Sequence, residues 1–388
     1  MPAMPAMVWP VLALILVGLA ISLPLTALLV RAGHRTGLLD SAGSTGHVKQ
    51  LRRIPNIGGI AIFAALALPL LIGLLAFHFV PIESLRRFAP GLNDELLARI
   101  RESTPTAAAM LVCLAVLHVT GLVDDRRGLG PLVKFAIQFA CAFVMAWWFD
   151  VRLLTLLDHQ LPAAPWPSVI VTMLWIVAIT NAINFMDNMD GLAGGVSAIA
   201  ATLFMIATVL NAQWFIAGTL ALLIGGVLGF LVFNFPPARI FMGDGGSLVV
   251  GFTLAILTAR TTFYSPNDPS YALGGGWYGV FMPVIVLAIP LYDFVTVTTI
   301  RLMQGKSPFV GDQQHFSHRL VQRGLSKRGA VMVIWGATAV TGIGGIALGS
   351  LQAWQAILVG VQTLLMLAII WMLEHASRHA VNRATNDE

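Results

Sequence analysis

Carboxylates, amides and histidines recur in this sequence in four short segments, each at the edge of a long apolar run. In TGLVDDRRGLGPLVK, residues 120–134, Asp124 and Asp125 are adjacent and are followed by Arg126, Arg127 and Lys134. Paired acids suit two jobs: one holds a divalent cation while the other, its proton affinity moved by its neighbours, accepts or orients a proton. A solvated helix end balanced by its own arginines is the competing reading. In NAINFMDNMDGLAGG, residues 181–195, Asp187 and Asp190 are three apart and share a helix face if the turn stays helical, with Asn184 one turn earlier. Gly191, Gly194 and Gly195 then remove bulk where the chain enters the next run, which lets a phosphate or a neighbouring helix approach.

The third segment, NFPPARIFMGDGGS at 234–247, sets Asp244 among Gly243, Gly245 and Gly246 directly before an apolar run. Ser247 is a candidate helix cap. Unpaired backbone N–H groups and the positive end of a helix dipole favour a phosphate there, and the carboxylate would bring the cation that bridges it. The fourth, GKSPFVGDQQHFSHRL at 305–320, packs Lys306, Asp312, His315, His318 and Arg319 into one loop. If that part is helical, His315, His318 and Arg319 share a face, and such donors suit phosphate oxygens. Two histidines three apart without a cysteine are weak grounds for a zinc site.

The elements that must position these groups are set by composition. The chain has 388 residues, 57% hydrophobic and 11% charged, with a mean hydropathy of +0.82; that exceeds what a water-soluble core requires and points to a lipid bilayer. A spanning helix needs about 20 mostly apolar residues. Eleven runs qualify, near 8–31, 57–80, 105–124, 131–150, 167–187, 191–210, 213–235, 245–265, 276–300, 329–350 and 353–373. The first run is read as a retained helix, since it lacks a basic leader and a small-residue cleavage site. Cys113 and Cys141 each lie inside an apolar run and read as small core hydrophobes.

Orientation follows from the positive-inside rule. With the N-terminus outside, only Arg86, Arg87, Arg99, Arg101, Arg152 and Arg260 of the 23 basic residues fall on the outer side. The charge of +5 is therefore spread over short inner loops, which argues for membrane orientation and against nucleic-acid binding. The expected fold is all-α: one polytopic transmembrane bundle, residues 1–388, of about 11 helices with the C-terminus cytoplasmic. Its cytoplasmic loops fall near 32–56, 125–130, 188–190, 236–244 and 301–328. The outer loop holding Arg86 to Glu102 is mixed in sign and reads as an amphipathic segment. In this topology all four polar segments reach the same face. Acids at the membrane boundary suit a soluble substrate meeting a lipid, whereas ion-coupling acids of a transporter sit nearer the midplane.

The four motifs, in this order, resemble the polyprenyl-phosphate N-acetylhexosamine-1-phosphate transferases, specifically the bacterial branch that acts on UDP-GlcNAc and undecaprenyl phosphate. The likeness runs from GLLDSAGSTGHVKQLRRIPNIGG at 37–59 through the acidic segments to PLYDFVTVTTIRL and the HFSHRL loop. It implies a Mg²⁺-dependent enzyme, with Mn²⁺ an admissible substitute, of the bacterial cytoplasmic membrane. Its active site faces the cytoplasm, and it joins a HexNAc-1-phosphate, GlcNAc-1-phosphate above all, from a UDP-sugar to a polyprenyl phosphate and releases UMP. This would be the first membrane step of a cell-envelope glycan.

Carried over by position, Asp124, Asp125, Asp187 and Asp190 are the catalytic acids, and Asp244 with Asp187 holds the metal. Lys134, Asn184, Asn234, Phe241, His315, His318 and Arg319 bind substrate. Two departures stand out: Ser317, where the family often has a further histidine, and Gly245, where Thr or Ala is common after the motif acid. The single-histidine spacing favours simple UDP-HexNAc donors over UDP-MurNAc-pentapeptide. The mechanistic expectation is in-line attack of the lipid phosphate on the sugar-linked phosphorus. A covalent aspartyl-phosphate route remains open, as do the particular sugar, the lipid length and the oligomeric state, a homodimer included. An ion-coupled transporter is the rival from another class, and a CDP-linked lipid phosphotransferase is disfavoured because its acids would lie in one compact motif.

Overall fold

The structure, a computed structural model, describes residues 7–36, 54–81, 83–85, 94–158, 165–261, 277–307 and 314–384. Asp312 and the 37–53 stretch of the expected family likeness lie outside the described residues. Every regular element among those described is helical. The long helices are α1 (Val8–Thr36), α2 (Gly59–Phe79), α4 (Thr104–Arg127), α5 (Pro131–Phe143), α6 (Trp166–Met186), α7 (Leu192–Leu210), α8 (Trp214–Asn234), α9 (Asp244–Thr261), α11 (Ala288–Met303), α13 (Lys327–Ile346) and α14 (Ala353–Ala384). Three short ones, α3 (Asp94–Glu102), α10 (Met282–Val286) and α12 (Phe316–Gln322), complete the set. Helix α3 falls in the mixed-charge 86–102 stretch, with its own Leu97 buried.

Nine helices among the described residues are long and apolar enough to cross a membrane. The exposed surfaces of α1, α2, α13 and α14 carry large apolar side chains such as Leu16, Ile72, Ile343 and Leu364. In water such a surface would be costly; in a bilayer it is the expected exterior. The chain is a multi-pass membrane protein. Two of the eleven expected spans are not among these nine. Residues 276–300 divide into a segment ending at Val286 and helix α11, bent by 68° at the break. Pro290 supplies the cause: it has no N–H for the carbonyl of Val286, and its ring crowds that carbonyl. The other, α9, is not among the nine, yet nearly all of its residues are buried. It is the central helix, wrapped by α2, α4, α6, α7 and α8.

Glycines let these helices approach. Gly225 and Gly229 on α8 face α1, where an added Cβ at Gly225 would lie 2.1 Å from the Ile15 carbonyl oxygen. Ser22 of α1 answers by donating to the Gly226 carbonyl at 2.6 Å. In a bilayer, where apolar surface gains nothing by leaving lipid, such close backbone packing and interhelical hydrogen bonds supply the association. The start of α9 is gripped in the same way. A Cβ at Gly121 of α4 would meet the Gly245 nitrogen at 2.3 Å, and one at Gly59 of α2 the Gly246 nitrogen at 2.3 Å. The motif turn before α9 is thus seated directly on two other backbones.

Candidate active site

Helix α4 ends on Gly128, in the left-handed region at φ 63°, whose N–H bonds the Asp124 carbonyl. Pro131 then opens α5 after a short turn. This cap leaves Asp124 and Asp125 in the last turn of α4, slightly inside the helix rather than beyond it, and turns Lys134 back toward them. Lys134 Nζ donates to Asp124 Oδ2 at 2.7 Å and to Asp244 Oδ2 at 2.9 Å. The other oxygen of Asp244 accepts from Asn184 Nδ2 at 2.9 Å, and the same amide donates to Ser247 Oγ at 2.8 Å. Residues 60 and 110 positions from Asp244 thus converge on its carboxylate.

Asp125 does something that sequence reasoning assigned to a ligand. Its Oδ1 accepts from the Asp244 N–H at 3.1 Å and from Asn56 Nδ2 at 3.0 Å, while its Oδ2 accepts from the Gly245 N–H at 3.3 Å. The Gly246 and Ser247 N–H groups bond the Gly243 carbonyl. The expectation of unpaired amides awaiting a phosphate at the start of α9 is therefore corrected: Asp125 is the anion there, where the helix dipole favours it. Ser247 is not the cap either; it lies within the first turn and donates to the Gly243 carbonyl at 3.1 Å. Gly245 is held from the other side by His118 of α4. Its carbonyl is 2.7 Å from Nδ1, and since a carbonyl only accepts, that nitrogen carries the proton. The His118 ring stacks on Phe63 with centroids 4.4 Å apart.

The second acidic segment corrects another expectation. Helix α6 stops at Met186, and residues 187–191 form a turn, so Asp187 and Asp190 do not share a continuous helix face. The cause is local: Asn188 Nδ2 takes the Phe185 carbonyl at 2.6 Å, and Gly191 at φ 77° reverses the chain into α7. Asp187 caps α6 and is half-buried. Asp190 points to the 235–243 loop, where its Oδ2 accepts from the Ala238 N–H at 3.0 Å. Asn234, only 3% exposed, ties the 187–191 turn to the same loop, accepting from Gly191 N–H at 2.9 Å and donating to the Ile240 carbonyl at 2.8 Å. Phe241 is fixed by its backbone, donating to Pro55 and accepting from Gly58 at 2.8 and 2.9 Å. Gly194 and Gly195 serve packing: the Trp335 indole occupies the space a Gly195 side chain would need.

The fourth segment forms helix α12 with His315 as its N-cap. His315 Nδ1 is 2.9 Å from Asp293 Oδ2, and Asp293 Oδ1 accepts the Phe316 N–H at 2.6 Å. Arg319 is buried and turned inward, its guanidinium donating to Glu374 of α14 at 3.0 Å and to the Gln314 carbonyl. Glu374 also accepts from Tyr292 at 2.9 Å. Arg319, expected among the donors to substrate, is therefore committed to an internal ion pair. His318 is half-buried, with its ring centroid 6.4 Å from that of His315. Burial, and then the nearby His315, hold its imidazole below the ordinary histidine pKa. Lys306 lies exposed at the end of the preceding turn.

Two patches thus meet at one end of the bundle: an oxygen-rich basin around Lys134 and a histidine-bearing helix above the 187–190 turn. Sequence reasoning missed Asn56, His118, Asn188, Asp293 and Glu374. Asp293 and Glu374 carried a signal, because an acid within or at the edge of an apolar run costs roughly 2.5–3.5 kcal/mol at the bilayer centre unless it is paired. Asn56 sat within a motif noted for its family likeness. Asn188 likewise sat within the 181–195 segment, and His118, an ionisable group inside the 105–124 run, carried the same signal as the two acids.

Among the described residues no three His, Cys, Asp or Glu groups form a ready-made metal cage. The donors present nonetheless fit Mg²⁺, a hard cation commonly held by one or two carboxylates with substrate phosphates and water completing the shell.

Residues 107–262 match the family model for glycosyl transferase family 4, a stretch running from α4 past α9 and holding every residue of the basin except Asn56. The chain is 30% identical over 351 residues to a Bacillus subtilis (strain 168) protein named "Probable undecaprenyl-phosphate N-acetylglucosaminyl 1-phosphate transferase", covering 89% of this chain and 86% of that protein. It is 35% identical over 251 residues to the decaprenyl-phosphate N-acetylglucosaminephosphotransferase of Mycobacterium leprae (strain TN), covering 58% of this chain and 61% of the relative. It is 27% identical over 330 residues to the undecaprenyl-phosphate alpha-N-acetylglucosaminyl 1-phosphate transferase of Escherichia coli (strain K12), covering 82% and 78%. These likenesses leave the transporter alternative without support. With its acidic basin inside the matched segment and relatives aligned along most of its length, the chain belongs to the polyprenyl-phosphate N-acetylhexosamine-1-phosphate transferases of glycosyl transferase family 4.

Proposed function

We propose that the protein transfers GlcNAc-1-phosphate from UDP-GlcNAc to a polyprenyl phosphate, giving a polyprenyl-diphospho-sugar and UMP. The observation that carries this reading is the convergence of Asp124 and Asp244, from two helices, on Lys134, with Asn184 on the other Asp244 oxygen and Asp125 holding the turn that carries Asp244. Names of the relatives supply the sugar and the lipid class. Asp244 and Asp187 would hold Mg²⁺, which when bound neutralises the diphosphate and stabilises the leaving UMP.

The chain's own groups do the rest. Lys134 holds two carboxylates in place and offers positive charge to phosphate oxygens as two anionic reactants meet. Asp125 fixes the turn that carries Asp244, so its part is to position. Asp124, whose carboxylate Lys134 holds at 2.7 Å, is the candidate to orient the lipid phosphate or take its proton. His318 faces the 187–190 turn and is the candidate donor to the diphosphate. His315 and Arg319 hold it there through Asp293 and Glu374.

Topologically, if α9 and the broken pair each cross once, the nine spans become eleven, which leaves the N-terminus outside and the basin on the cytoplasmic face of the bacterial cytoplasmic membrane. Purified protein given Mg²⁺, undecaprenyl phosphate and UDP-GlcNAc should release UMP, and Asp244→Asn should not. Activity with UDP-MurNAc-pentapeptide alone would overturn the choice of donor.

A further inference from the structure

Ser317 stands where the family often has a histidine, and its place in the fold gives it a task. It is 1% exposed, and its hydroxyl donates to Asn188 Oδ1 at 2.5 Å, across 129 residues of sequence. The Asn188 amide is oriented without ambiguity: Nδ2 donates to the Phe185 carbonyl at 2.6 Å, which leaves Oδ1 for the Ser317 hydroxyl. The next residue of α12, His318, also bonds the Asn188 backbone. Asn188 itself sits between the acids Asp187 and Asp190, four residues beyond Asn184, which binds Asp244. A side chain of histidine size at 317 has no room with Asn188 this close.

From these contacts we infer that Asn188 and Ser317 form a latch that fixes the distance between the acidic basin and the histidine helix, and that both are positioning residues for His318. The Ser317 hydroxyl is therefore not a weakened substrate donor; it is spent on the acid-bearing turn. Other attachments of α12, through Asp293 and Glu374, run to α11 and α14. The contacts to Asn188 tie it to the element that holds the acids. A group misplaced by a fraction of an ångström costs rate more than ground-state affinity, because the transition state needs the closer geometry.

This inference rests on the transferase reading only for its kinetic arm, so two readouts are needed. The first is the rate at which diethylpyrocarbonate modifies His318, followed by mass spectrometry on the purified full chain, with buried His315 as internal reference. Losing one neutral hydrogen bond corresponds to about a 5-fold change. Ser317→Ala and Asn188→Ala should each speed modification of His318 by about that factor, and the double variant should do no more than either single.

The second readout is UMP release: kcat should fall about 5-fold in each single variant, with KM for UDP-GlcNAc changing less than about 2-fold. The latch is overturned if His318 reactivity is unchanged in both single variants, or if the two losses multiply. Should the wild-type protein release no UMP, the transferase reading fails while the His318 rates still decide the latch.

Discussion

Asp125 accepts from three donors: two backbone N–H groups and the Asn56 amide. Asp125→Asn would turn an NH₂ group toward one of those donors, leaving it unmet at a cost of about 1–3 kcal/mol. The expected outcome is a lower melting temperature in detergent together with lost turnover, measured by thermal unfolding and UMP release. Asp244→Asn keeps the size and the Asn184 neighbourhood, so the fold should persist while kcat drops about 10²–10³-fold, as for loss of one preorganised charge contact. For His318 the sign of the pH effect follows from its lowered pKa. The unfolded chain takes up a proton near pH 6.5 that the folded chain still refuses, so His318 subtracts stability as pH falls below about 6.5. A His318→Gln variant should show a shallower loss of melting temperature between about pH 7 and pH 5. At this scale the sequence made the basin's members legible, since acids, amides and a lysine at the edges of apolar runs need a reason. It did not reveal that Asp125 serves the fold of the turn, nor that Arg319 is paired with Glu374. Both depend on which side chain reaches a backbone or a charge far away in the chain.

Among elements, the contact of α4 with the start of α9 decides whether the basin exists. Gly121→Val would drive a side chain into the Gly245 and Asp244 backbone, where even a Cβ would lie 2.3 Å from nitrogen. Backbone cannot swing aside as a flexible side chain does, so the variant should be destabilised by more than the 1–3 kcal/mol typical of overpacking and should be inactive. Gly336→Ala, with open space around its Cβ position inside α13, should melt slightly above the wild type, by the roughly 0.5–1 kcal/mol that alanine gains over glycine in a helix. The two measured side by side in detergent separate packing from helix propensity. Most spans were legible because an apolar run of some 20 residues has few alternatives. The 187–190 turn was not, since a three-residue spacing of acids fits a helix or a turn until Asn188 and Gly191 are seen to end α6. The break before α11 had its signal in Pro290, whose missing N–H falls opposite Val286.

For the whole molecule, alternation of the spans sets which ends share a side. Residues 127 and 150, on either side of the span Pro131–Trp148, should then lie on opposite faces. Cysteines placed at Arg127 and Asp150 should react with a membrane-impermeant maleimide from opposite sides of oriented vesicles, and native Cys113 and Cys141, both free and buried, should stay silent. Labelling of both from one side would remove one span from the count. That all four polar segments gather at one end follows from the order of spans and was readable from hydropathy and charge. Their division into a basin and a histidine helix, joined through Asn188, depends on contacts between residues 129 positions apart, which no local pattern carries. The central claim is that this gathered site moves a sugar phosphate from a nucleotide to a lipid. Its most direct test is UMP release by the purified protein given UDP-GlcNAc, undecaprenyl phosphate and Mg²⁺, with Asp244→Asn beside it. The account predicts release that requires the lipid phosphate and is lost in the variant; no UMP from the wild type, or equal release from Asp244→Asn, would contradict it.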